Sequence, residues 1–177
     1  MISVKETTLF FKDYKASFVT TSMRMVQVVN LLDFEKKNYT SLLLNSFGEN
    51  YAFTETSEDI IKQENNPVFS VKTLPQKKTI AGLECQKAIV SDLTNKKKFI
   101  IFFYPKVKVY LGNSPYKNFN YLLVDYQDTR YGLPMRLQAT KIDFNSIDTT
   151  MLNLHGEYNW VDRKDFLSII QRLKPQK

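Results

Sequence analysis

Cys85 and His155 are the residues of this chain whose side chains most often serve as nucleophile, general base or metal ligand. His155 is the only histidine among the 177 residues, and the stretch around it is typical of a loop. A single histidine leaves room for few acid–base, triad or metal-binding designs. Cys85 falls within a predicted strand, where a buried and inert thiol is the usual outcome. We therefore expect neither residue to be catalytic.

The carboxylates do not form a pattern that predicts hydrolysis. Glu58 and Asp59 lie in a predicted helical turn, and further acids are spread over strands and turns: Asp125, Asp128, Asp143 and Asp148. A hydrolase of this kind needs two acids that meet in space, and no spacing here predicts that. Gly82 is isolated, so no phosphate-binding loop is predicted either. We expect a protein that is not an enzyme and that uses neither a cofactor nor a metal.

The chain is basic, with a net charge of +7 from 25 Lys and Arg against 18 Asp and Glu. Most lysines alternate with apolar residues, as on the solvent-exposed side of a sheet, and the densest runs are 77–78 and 96–98. Lysine on edge strands commonly prevents pairing with other chains. Aromatic residues beside lysines, as in Lys98-Phe99, can stack bases, but neither an arginine cluster nor an RNA-binding signature accompanies them. We expect no nucleic acid partner.

Composition indicates a globular, mainly β protein. The hydrophobic fraction is 43%, with 13 Phe and 10 Tyr but only 5 Gly and 6 Pro, a mixture that fits half-buried strands. No repeat or linker interrupts residues 1–177, so a single domain is expected. No apolar window approaches the roughly 20 residues that span a bilayer. The first residues run into Lys5 and Glu6 without an apolar segment, so no signal peptide is expected there.

Alternation and turn residues predict a succession of strands. The second arm of the last hairpin has Met135, Leu137 and Ala139 on one face, with polar residues between them, which is the period of a one-sided strand. The stretch 16–30 is predicted to form one strand or two, with a helix as the alternative. The predicted strands are 2–11, 39–46 paired with 49–54, 67–74, 81–93, 97–104, and 121–127 paired with 133–144.

Two helices are predicted. Residues 56–61 form a short helical turn, with Ser57 as its cap. At the C-terminus, Asp162 caps a helix whose apolar residues recur at helical spacing: Phe166, Ile169, Ile170 and Leu173.

Several short motifs resemble those of a known family. Residues 78–82, followed by Cys85 and Ala88, are similar to a signature of an envelope family of unknown function in Gram-negative bacteria. That family is related to the proteins named for their Gly-Leu-Pro-Gly-Leu-Ile motif. Here Gly132-Leu133-Pro134 is followed by Met135 and Arg136, so the full motif is not present. The similarity continues through Tyr104-Pro105, Ser114-Pro115-Tyr116, 121–126 and 133–141.

The resemblance implies the fold of the LolA/LolB-type lipoprotein carriers. That fold is a curved, incompletely closed antiparallel β-barrel (a half-barrel), with a C-terminal helix and one or two short helices covering the concave face. It also implies a location in the periplasm or cell envelope. Helices or a hydrophobic ligand must complete such a concave apolar face. The residues expected to line the cavity, or alternatively to be ordinary core, are Phe102, Tyr104, Leu122, Val124, Met135, Leu137 and Ala139.

The sequence leaves three functional hypotheses. The leading one is a non-enzymatic envelope protein that binds an acyl chain of a lipid or lipoprotein, or another hydrophobic ligand, in the concavity of its sheet. The second is an envelope interaction or structural module without a small ligand, which contacts a membrane or an envelope protein through its basic surface or a sheet edge. The third is an enzyme built on Cys85 or an acidic pair, which needs a thiol of lowered pKa or two close carboxylates.

Overall fold

The structure is a computed structural model, and its backbone is mainly β, as predicted. Strands make up 57% of the described residues. These residues belong to two compact units, one formed by 1–60 with 147–177 and the other by 61–146. A single domain over 1–177 stays a prediction. The residues that the structure describes are 4–22, 26–45, 48–63, 69–94, 96–109, 116, 119–130 and 133–172.

The first unit contains a six-stranded sheet whose order follows the chain. Antiparallel pairing joins its first five strands in succession, and the short last strand adds parallel to the fifth. The stretch predicted as one strand or two forms two, with Val19 opposite Val29. The strands are β1 (Val4–Lys12), β2 (Lys15–Ser22), β3 (Val26–Asp33), β4 (Asn38–Asn45), β5 (Tyr51–Thr56) and β11 (Asn159–Trp160).

The predicted C-terminal helix is confirmed as α2 (Arg163–Arg172), and it packs on β5. Asp162 caps it, since its Oδ1 accepts a hydrogen bond from the backbone N–H of Asp165 at 2.8 Å. Phe166 and Ile170 of the predicted apolar stripe are buried. The Phe166 ring lies 4.6 Å from that of Phe53 on β5, centroid to centroid. Leu173, the last residue of the predicted stripe, lies outside the described residues.

Helix α1 (Ser57–Gln63) is capped by Thr56, so the prediction of Ser57 as its cap is wrong. The Thr56 hydroxyl accepts from the backbone N–H of Asp59 at 3.2 Å, and the Asp59 carboxylate accepts from the backbone N–H of Thr56 at 2.9 Å. This reciprocal arrangement is a capping box. A one-turn 3-10 helix at Thr149–Leu152 precedes β11. Within the described ranges, no helix is both long enough and apolar enough to cross a membrane.

The second unit contains a five-stranded antiparallel sheet formed by β6 (Phe69–Ile80), β7 (Leu83–Asp92), β8 (Lys97–Tyr104), β9 (Leu122–Arg130) and β10 (Leu133–Gln138). Their order in the sheet is β10-β9-β8-β7-β6. The hairpin of β9 and β10 is confirmed, but β10 ends at Gln138 rather than at the predicted Phe144.

Strand β6 is longer than predicted and continues through Pro75 to Ile80. Proline cannot donate to a ladder, and here it lies on an edge strand where the register with β7 shifts between Thr73 and Lys77. Ala81, predicted as the start of a strand, instead forms the turn between β6 and β7 together with Gly82. Their φ angles are 48° and 80°, which match the left-handed residues of a two-residue hairpin turn.

Candidate functional site

One face of the five-stranded sheet carries lysines around a small group of apolar side chains. In an antiparallel pair, residues directly opposite each other share a face. On this face Lys72 lies opposite Ile89 and Ile89 opposite Ile100, while Lys87 lies opposite Phe102. We call this surface the lysine–aromatic face. It comprises Lys72, Lys78, Lys87, Ile89, Lys98, Ile100, Phe102 and Tyr104, together with Cys85 and Leu122, which are buried.

Around Lys72, Lys98 and Ile100 the lysine–aromatic face is exposed to solvent, whereas the other face of the same strands is buried. Its Lys72, Lys78 and Lys98 side chains are exposed, and Ile100 is 51% exposed. The alternating residues on the other face are buried, namely Ala88, Val90, Ile101 and Phe103. The strand spacings imply that the four lysines span about 10 Å across the strands and about 20 Å along them.

The two aromatic rings of this face already have contacts. The Lys78 ammonium lies 5.6 Å from the centroid of the Phe102 ring, within cation–π range. The Tyr104 ring stacks on Phe144, with centroids 6.1 Å apart and planes at 28°. Phe144 therefore lies over this face, and it is 52% exposed. An exposed isoleucine thus lies beside the lysines, and an exposed phenylalanine stacks on Tyr104 at the end of the same strand.

An ion pair occupies the β9–β10 side of the same face. Arg136 donates to both carboxylate oxygens of Asp125, from Nε and from Nη2, each at 2.8 Å. The Asp125 side chain is almost fully buried, whereas Arg136 is largely exposed. The hydrogen bond to Asp125 and the charge of its carboxylate raise the pKa of Arg136. Asp125 is the only carboxylate that the described residues of these strands place on this face.

We expect Arg136→Met to lower the urea midpoint of unfolding, because it leaves the buried Asp125 carboxylate without its bidentate partner. Adding Asp125→Leu to that variant should restore part of the loss, since the unpaired charge is then gone. Urea titrations followed by circular dichroism would compare the two variants with the wild type. A double variant less stable than Arg136→Met would contradict this account.

The seven residues predicted to line a cavity do not share one face of the sheet. Tyr104 lies opposite Leu122, and with Phe102 they belong to the lysine–aromatic face. Leu137 lies opposite Tyr126, two residues from Met135, on the other face. Val124 lies where the β8–β9 register shifts, and Ala139 follows the end of β10. The predicted alternation of exposure along 135–140 is confirmed, and a ligand-binding role for the seven stays a prediction.

The opposite face of this sheet is covered by an aromatic cluster from its own unit. Tyr116 contacts Phe99 and Tyr126 edge to face, and Phe119 does the same with Phe103. The Tyr116 hydroxyl donates to the backbone carbonyl of Gln127. Burial is the main cause of a raised pKa at Tyr116. Side chains of the second unit thus fill this stretch of the surface.

Cys85 is fully buried in β7, as predicted. Its Sγ lies 3.3 Å from the carbonyl oxygen of Leu83, to which it donates. Burial raises the pKa of the thiol, which disfavours the thiolate that nucleophilic or metal chemistry needs.

We therefore expect the Cys85 thiol of the folded protein to resist a water-soluble disulfide reagent and to react once urea has unfolded the chain. The released chromophore, read by absorbance, should rise from near zero to one equivalent. Cys85→Ser provides the blank. Full reaction in the native state at neutral pH would contradict this expectation.

His155 is exposed, and its carbonyl oxygen accepts a hydrogen bond from the Tyr158 hydroxyl at 2.6 Å. The nearby Asp148 carboxylate accepts from the backbone N–H of Thr150 at 2.9 Å, which lowers the pKa of Asp148. Across the ranges that the structure describes, no three His, Cys, Asp or Glu side chains are grouped as metal ligands would be.

The lysines of the candidate face were visible in the sequence, but their grouping was not. Lys98 precedes Ile100 and Phe102 at alternating positions, which already indicates a strand with one mixed face. Lys72 and Lys87 join them only through the pairing of β6, β7 and β8. The alternation of residues along β8 therefore indicated a mixed face, but the register between strands was needed to show which lysines share it.

Comparison with known proteins finds similar solved structures and no similar sequence. No protein-family model matches the chain, and no curated protein is significantly similar to it. Two crystal forms of PNGF-II, in space groups C2 and P21, are similar in structure, each with a TM-score of 0.52 and 13% sequence identity. They cover 92% and 91% of this chain, which spans 30% of the length of either PNGF-II chain. At this identity the similarity shows the fold alone.

Proposed function

We propose that the protein is a non-enzymatic interaction module of the cell envelope that binds an anionic partner through the lysine–aromatic face. The observation that carries this proposal is the exposure of three lysines and Ile100 on one sheet face, beside the single, already paired carboxylate of Asp125. Clustered charge of one sign attracts partners of the opposite sign. The envelope location rests on the family resemblance.

The lysines of this face are not engaged in ion pairs with acidic side chains of the described residues, which supports binding of an anionic partner. Among the described residues, Lys72, Lys87 and Lys98 make no ion pair, whereas Lys77, on the other face of β6, is bound to Glu84 at 2.7 Å. Exposed cations without an ion-pair partner remain available to an incoming anion.

A matched pair of triple variants tests this proposal. The face variant combines Lys72→Gln, Lys78→Gln and Lys98→Gln, and the control variant combines Lys12→Gln, Lys36→Gln and Lys164→Gln, all at exposed positions of the first unit. Both lose the same charge. Binding to three anionic supports (phosphatidylglycerol vesicles, heparin and a single-stranded oligonucleotide) is measured at low salt.

We expect the wild type and the control variant to bind at least one support, and the face variant to lose that binding. Circular dichroism confirms that each variant is folded. If the two triple variants bound alike on every support, the face would not be the binding surface and the proposal would be wrong.

The second candidate function is the carrier of an acyl chain or other apolar ligand, in a LolA/LolB-type half-barrel. The observation that favours it is a helix packed on an antiparallel sheet: Phe166 and Ile170 of α2 are buried on the side of Phe53. An apolar ligand would compete with these side chains for the same kind of surface.

Solvent extraction of the purified protein, followed by mass spectrometry, tests the carrier function. A carrier should release a lipid or fatty acid in stoichiometric amount, and the face variant should release the same amount because it changes no apolar side chain. If no lipid co-purified and the protein took up no fluorescent fatty acid, the carrier function would be ruled out.

A further inference from the structure

The geometry points to a bilayer surface that contains anionic phospholipid as the partner of the lysine–aromatic face. This inference rests on the proposed function and names the partner of the same site. Three classes of partner carry suitable negative charge: a protein, a nucleic acid and a lipid surface. The side chains of the face discriminate among them.

A protein partner fits the face poorly. Lysine is depleted in protein–protein interfaces, where tyrosine, tryptophan and arginine are enriched. Here four lysines surround Ile89 and Ile100. Arg136 donates to Asp125 through both Nε and Nη2. The cations that remain available are therefore long, flexible ammonium groups rather than rigid guanidinium anchors.

A nucleic acid partner also fits poorly. Single-stranded nucleic acids bind by stacking bases on open aromatic rings. Lys78 lies over the Phe102 ring, and Phe144 covers one side of Tyr104. The rings of this face are thus engaged by neighbours within the same unit, and a base would have to displace them.

A lipid surface matches both the charge and the apolar side chains. Lysines near an anionic bilayer each contribute about 1 kcal/mol of attraction, and their aliphatic stems can lie along apolar surface while the ammonium reaches a headgroup. Ile100 and Phe144 are 51% and 52% exposed, so Ile100 can enter the headgroup region beside the lysines and Phe144 can enter it beside Tyr104. Shallow apolar insertion combined with cationic contacts is how proteins bind membranes peripherally.

Co-sedimentation with vesicles of phosphatidylcholine, with and without phosphatidylglycerol, tests this inference on the full chain. We expect binding to the mixed vesicles and little to phosphatidylcholine alone, with loss of binding at high salt because the exposed charges are screened. The face variant should lower the partition coefficient by roughly 100-fold, while the control variant lowers it by less than about 3-fold because its charges lie elsewhere.

A second pair of variants tests the apolar contribution. Ile100→Ser removes an exposed side chain from the face, and Met151→Ser removes one that is 48% exposed in the first unit. We expect Ile100→Ser to weaken vesicle binding by roughly 5-fold, on the scale of a partly inserted aliphatic side chain, and Met151→Ser to leave it unchanged.

Equal losses in the face and control variants, equal binding to both vesicle compositions, or no binding to the mixed vesicles would each overturn the lipid inference. If the vesicles fail while heparin binding is still lost in the face variant, the proposed function stands without the lipid. If the face variant binds every anionic support as well as the control variant does, both the lipid inference and the proposed function are wrong.

Discussion

Phe166→Ala should lower the free energy of unfolding by about 3–5 kcal/mol. The Phe166 side chain has no solvent exposure, and its ring packs against that of Phe53. Truncation leaves a cavity and removes the main anchor of α2, a helix of 10 residues. Helices this short are marginal without tertiary packing. Urea titration measures the loss, and hydrogen exchange over residues 163–172 should show α2 losing protection first.

Phe144→Ala is the matched control, because it removes the same side chain from a position that is 52% exposed. Its contact with Tyr104 is a single stacked pair, so its loss should cost about 1 kcal/mol or less. Equal effects of the two substitutions would mean that α2 does not depend on Phe166 for its attachment.

Tyr116→Ala should destabilise the second unit by a similar amount, about 3–5 kcal/mol. Tyr116 is 1% exposed and contacts Phe99 and Tyr126, so its removal opens the aromatic cluster. Tyr116→Phe keeps the ring and removes only the hydroxyl that donates to Gln127, and it should cost about 1 kcal/mol. Thermal and urea unfolding of the two variants separate packing from hydrogen bonding.

The same residue predicts a dependence of stability on alkaline pH. Burial raises the pKa of Tyr116 in the folded protein above its ordinary value of 10.0. The unfolded chain therefore loses this proton first, and the stabilisation is complete below pH 10 and decreases as pH rises beyond it. Tyr116→Phe should flatten that decrease.

Tyr14→Phe is the control for this pH effect, since it removes a hydroxyl from a side chain that is 55% exposed. Stability measured at several values above pH 9 should fall as steeply in Tyr14→Phe as in the wild type. A slope that Tyr116→Phe leaves unchanged would contradict the assignment of the effect to Tyr116.

Local signals in the sequence predicted most of the elements. Alternation of apolar and polar residues predicted β10 and its hairpin with β9, and the spacing of Phe166, Ile169 and Ile170 predicted α2. These patterns depend on contacts within a few residues, so they can be read without knowing the partner strand. The cap of α2 at Asp162 belongs to the same class of local signal.

One error arose where the position of a strand in the sheet overrode a local rule, and two arose at local turn and cap signals. The predicted strand 67–74 stopped before Pro75, but β6 continues through it because an edge strand with a register shift tolerates a residue that cannot donate. Ala81 was predicted as strand, yet with Gly82 it forms a tight turn at positive φ. Thr56 replaced Ser57 as the cap of α1, since the reciprocal bond with Asp59 needs the residue three positions before it.

By itself the sequence determined that this is a mainly β protein with a C-terminal helix and alternating lysines. The pairing of strands decided which of those side chains share a face. The register shift between Phe102 and Phe103 sets Leu122 beside Tyr104, while Leu137 lies on the other side with Tyr126. Because successive residues point to opposite faces, a shift of one residue moves a side chain from one surface to the other. Only long-range pairing fixes that shift, and so only the tertiary structure brought Lys72, Lys87 and Lys98 onto one surface.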